Sequence, residues 1–232
     1  DESPEACDQN LSRNNLMDFA KSIELCDRVE SIEVNSNAAA LARNITTNFG
    51  NFYQPIAGTN MIALSSGLAV DRSDPSWVDP GSNSPLILGG TEFGNYTDHP
   101  DPQGDPADGC GEQDPNLVND YTEITLTIKV PTNANALSYD FVFMSGEFPQ
   151  YVCTQFDDTF LGILESAEFT GNISFDDQGR PLTINAGFFD VCESANGPDC
   201  EGNSELIGTG FEEYGGTGWL TTTAPVTPGE TI

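Results

Sequence analysis

At 232 residues the chain is long enough for one large all-β domain with a sizeable core, and 37 acids against 7 bases give a formal net charge of −30. Nucleic acid and anionic membrane surfaces are recognised through clustered Lys and Arg, so this balance argues against both; it favours divalent cations or solubility in salty surroundings. No apolar run approaches the ~20 residues of a membrane span, the longest, Met61–Val70, being interrupted by Ser65, Ser66 and Gly67.

The chain opens on Asp1-Glu-Ser-Pro without methionine, as expected of a mature secreted protein after signal cleavage. Cys7, Cys26, Cys110, Cys153, Cys192 and Cys200 form an even set with no C-x-x-C, which speaks against zinc and for three disulfides in an oxidising compartment. The pairing expected is Cys7–Cys26, Cys110–Cys153 and Cys192–Cys200.

After a polar lead-in, Leu16, Phe19, Ala20, Ile23 and Cys26 recur at helical spacing, predicting an amphipathic helix over 12–26 with Ser12 as N-cap. Ala38, Leu41, Ala42 and Ile45 predict a second short helix over Ser36–Asn48, stopped at Gly50. Met61–Val70 reads as a buried strand. Residues 71–120 are rich in Pro, Gly, Asn and Asp; short strands are expected inside them, around Leu86–Leu88. The acids Asp101, Asp105, Asp108, Glu112 and Asp114 lack the spacing of an EF-hand loop and read as a solvated surface. The sole histidine, His99, sits in a loop and reads the same way.

Tyr121–Val130 alternates strictly, with Ile124, Leu126, Ile128 and Val130 inward. A turn at Pro131–Asn135 leads to Leu137, Tyr139, Phe141 and Phe143 on the same period of two. This strand runs into Glu147–Phe160, which gathers Glu147, Asp157, Asp158, Cys153 and several aromatics, before a return strand over Thr159–Ser166. Ile173–Phe175 and Leu182–Ile184 flank Asp176-Asp-Gln-Gly-Arg, a turn in which Gly179 can take positive φ. Further strands are expected at Gly187–Cys192 and Trp219–Thr223.

Three blocks resemble the choice-of-anchor L domain, a family of bacterial secreted and surface proteins. The first is Gly58-Thr-Asn-Met-Ile-Ala-Leu-Ser-Ser-Gly-Leu-Ala. The second is Phe141-Val-Phe-Met-Ser-Gly-Glu-Phe-Pro-Gln-Tyr-Val with Phe156-Asp-Asp-Thr-Phe. The third runs from Gly171-Asn-Ile-Ser-Phe-Asp through Leu182-Thr-Ile-Asn to Gly208-Thr-Gly-Phe and Gly218-Trp-Leu-Thr-Thr, and is most similar to myxobacterial versions. The resemblance covers roughly residues 15–232. It implies a secreted β-sandwich displayed near the cell surface, without established enzymatic activity. Asp157 stands where the family usually has Asn, and Phe148 where Tyr is common. Family members also continue beyond the equivalent of Ile232 into a strand that closes the sandwich.

The resulting expectation is mainly β: a single domain over 1–232, a jelly-roll-like antiparallel β-sandwich (58–232) preceded by two short α-helices (12–50), with long irregular loops. Glu147, Asp157 and Asp158 are the candidate metal ligands. Calcium suits them, because a hard cation takes six to eight oxygens and adjacent carboxylates repel one another without one. No catalytic residues are assigned; Glu147 with Asp158 is the only carboxylate pair that a glycosidase reading could nominate. The role expected is structural or adhesive at a bacterial surface or matrix, with self-assembly through an open sheet edge and with self or other matrix proteins as partners. The alternative is a calcium-dependent, lectin-like glycan-binding module using Phe148, Tyr151, Tyr214 and Trp219.

Overall fold

The computed structural model describes residues 7–36, 42–80, 97–98, 117–118, 121–154, 158–176, 178–185, 188–193 and 201–232. Helix α1 (Leu16–Ser22) is capped by Asn15, whose side chain accepts from Met17 N. Ser12, the expected cap, instead donates its N–H to the Asp18 carboxylate. The helix also ends one turn before Cys26. Leu25 N donates to Ala20 O and Glu24 N to Lys21 O, the two bonds of a Schellman stop, with Glu24 in the left-handed region at φ 64°. A periodicity that runs on to Cys26 therefore overstates the helix.

Strands β1 (Val29–Ser36), β2 (Arg43–Thr46) and β3 (Met61–Leu64) follow. The second helix expected over Ser36–Asn48 is not formed: Ser36 ends β1, and Arg43–Thr46 pairs antiparallel with β3. The β-branched Ile45 and Thr46 favour a pleated surface over a helix, and the partner strand satisfies the backbone. α1 is thus the one α-helix among the described residues. Residues 37–41, like Leu86–Leu88, lie outside them.

Short strands β4 (Thr97–Asp98) and β5 (Leu117–Val118) pair with each other. β6 (Thr122–Ile128) lies antiparallel to β1, from Ser36 opposite Thr122 to Val29 opposite Ile128. The chain turns at Pro131, where Ala134 N bonds Pro131 O. β7 (Ala136–Phe141) then pairs not with β6 but with the last strand. Its exposure alternates as expected, Leu137, Tyr139 and Phe141 being the covered positions.

The return strand is split into β8 (Thr159–Phe160) and β9 (Ile163–Glu165). Gly162 between them lies against Tyr139 Oη and Ser174 Oγ, so close that any Cβ would collide with both. β10 (Thr170–Asn172) pairs with β9, and β11 (Leu182–Thr183) with β8. The strand expected at Ile173–Phe175 is therefore displaced to 170–172, leaving a single bridge from Phe175 to Pro181. β12 (Cys192–Glu193) pairs with β13 (Glu201–Gly202), and β14 (Leu220–Pro225) with β7.

The fold is mainly β, in small antiparallel sheets. One core cluster is Val130, Leu164, Ala224 and Val226, packed by Leu137 and Ile232. A second surrounds Tyr53 and Leu206, with Met61, Met144 and Trp219 against them. The phenylalanines Phe141 and Phe160 stack at 4.2 Å, joining β7 to β8. Ile232 exchanges both main-chain bonds with Ile128, and Val130 N donates to Glu230 O, so residues 230–232 form an isolated bridge on the β6 side.

Candidate functional site

The Glu147–Phe160 stretch leaves the β7 side of the core through Met144, which bridges Gly216, and Ser145, whose N–H donates to Gly215 O at 3.1 Å. Ser145 is buried at 2% exposure. Its hydroxyl donates to Asp158 Oδ2 and accepts from Glu147 N at 2.9 Å. One serine thus ties the two ends of the loop together, bringing Glu147 and Asp158 to either side of a single hydroxyl. Asp157, the third predicted ligand, lies outside the described residues.

Between these ends the chain is wound tightly. The Phe148–Pro149 peptide is cis, Tyr151 N donates to Glu147 O at 2.8 Å, and Thr154 N to Tyr151 O at 3.0 Å. Cys153 takes φ 57°, and its N–H reaches Asn185 Oδ1 at 2.8 Å. Asp158 O in turn accepts from Ile184 N. The loop is therefore fastened to the β11 end of the core at both Cys153 and Asp158. Phe148 packs on Phe189 with ring centroids 5.3 Å apart.

The disulfide Cys7–Cys26 is formed as expected, with Cα atoms 5.7 Å apart. Cys153 is also disulfide-bonded. The pairings of Cys110, Cys192 and Cys200 lie outside the described side chains, as do His99 and the acids between Asp101 and Asp114.

The oxygens of Glu147, Asp158 and Ser145 are hard donors of the kind calcium takes. Among the described residues no group of three or more His, Cys, Asp or Glu side chains is placed to hold a metal ion. The junction fixes Asp158 by its carboxylate but Glu147 by its backbone N–H, so it brings together one predicted ligand side chain and the main chain of the other. Asp176, in the Gly179 turn, is committed to that turn. Burial pushes its carboxyl up, but the N–H groups of Arg180 and Gln178 and the Arg180 guanidinium outweigh this and hold it below the usual range. Gly179 takes φ 78°, as the hairpin requires.

The aromatics nominated for sugar stacking are largely engaged elsewhere. Phe148 covers Phe189, Trp219 meets Tyr53 edge-on at 6.2 Å, and Tyr214 donates its hydroxyl to Asp79.

Sequence reasoning missed a second polar region. Asp71 and Asp74 each accept from the N–H and hydroxyl of the serine two residues on, Ser73 and Ser76. The repeated Asp-x-Ser in Asp71-Arg-Ser-Asp-Pro-Ser is the signal that could have found it, since such residues bond their own backbone in turns. Together with β2 these turns wall an open cleft of about 260 Å³.

No family model, curated protein or solved structure matches the chain.

Proposed function

We propose that the chain is a non-enzymatic extracellular protein of the choice-of-anchor L type, structural or adhesive at a bacterial surface or matrix, stabilised by disulfides and calcium. The observation carrying this reading is the Ser145 junction. Glu147 and Asp158 are bound to one buried hydroxyl, and their loop is fastened to Asn185 and to a disulfide, so the acidic stretch acts as a clamp on the core. Calcium would be held by Glu147 and Asp158, with Asp157 as the adjoining carboxylate, and would relieve their mutual repulsion. Assembly through an open sheet edge is the remaining part of the reading; the sheets among the described residues are two-stranded, and strand edges of this kind are templates for further pairing.

Titration calorimetry on chelator-treated protein tests the metal. Extracellular modules bind calcium at about 10⁻⁴–10⁻³ M, so heat and a raised Tm are expected at millimolar calcium and should be lost in Glu147→Gln. Absence of both in the parent protein would remove calcium from the reading. Light scattering with and without calcium tests assembly, a strict monomer in both conditions counting against it.

A further inference from the structure

We draw no further inference here: the strongest candidate, the groove beside β14 lined by Phe141, Phe175, Phe188 and Leu220, presents the exposed Phe175, but nothing in the structure shows what covers it.

Discussion

The α1 region and the Ser145 junction are both cross-tied turns, but the junction also draws its ties from other parts of the fold. Around α1 the disulfide joins residues 19 apart, and the Asp18–Lys21 pair and the Schellman stop are more local still. At the junction, Ser145 reaches across 13 residues to Asp158 and Cys153 across 32 to Asn185, with Gly215 beneath. Closing a longer loop costs only logarithmically more entropy. The junction, however, exists only once several strands have docked, whereas the disulfide, the ion pair and the helix stop of the α1 region all lie within residues 7–26. Its stability should therefore respond to local chemistry, and that of the junction to the state of the whole fold.

The largest effect expected is on the local side. Replacing Cys7 and Cys26 by Ser should cost about 3 kcal/mol on the loop-entropy account, read as a lower urea midpoint. A cost near zero would mean that α1 is held by its packing alone.

At the junction, Ser145→Ala removes a buried hydroxyl from a carboxylate and from Glu147 N. A loss of about 2 kcal/mol is expected, together with weaker calcium heat. Destabilisation with unaltered calcium binding would separate the clamp from the metal.

The third test is pH. The Lys21 ammonium bonded to Asp18 holds that carboxyl below its usual range, helped by Ser12 N and opposed by burial. A depressed folded pKa contributes stability that is present above the ordinary carboxylate pKa and lost as pH falls through the folded value. Acid should thus lower Tm less steeply in Asp18→Asn than in the parent protein; parallel curves would show the pair to be idle.

The smallest expected effect is a gain. Glu24 holds left-handed backbone at φ 64° with a buried carboxylate oxygen lacking a hydrogen bond. Glu24→Gly should therefore stabilise by about 1 kcal/mol. A loss instead would show that Glu24 packing on Gly58 matters more than backbone strain.

Periodicity made the sheet strands legible. Leu137, Tyr139 and Phe141 alternate as read, Thr122–Ile128 and Leu220–Pro225 are strands, and Gly179 turns its hairpin. It misled at Ser36–Asn48, where helical spacing of Ala42 and Ile45 gave way to the β-branched residues and a partner strand. Glu147 and Asp158 stood out as clustered charge; that Ser145 would bond both was not visible, because a serine just past an alternating run carries no mark of the hydroxyl's eventual partners. The cleft beside β2 was hidden more deeply, since its other wall comes from turns thirty residues on.

By itself, then, the sequence determined the β class, the acidic character and the Cys7–Cys26 tie, because period, charge and nearby cysteines are properties of neighbours along the chain. Tertiary structure alone decided that β7 would leave β6 for β14, that Gly162 would split a strand against Tyr139, and which carboxylates keep a free oxygen. Those outcomes depend on which surfaces meet across the core, and hydrogen-bonding groups are satisfied or left open only when they do.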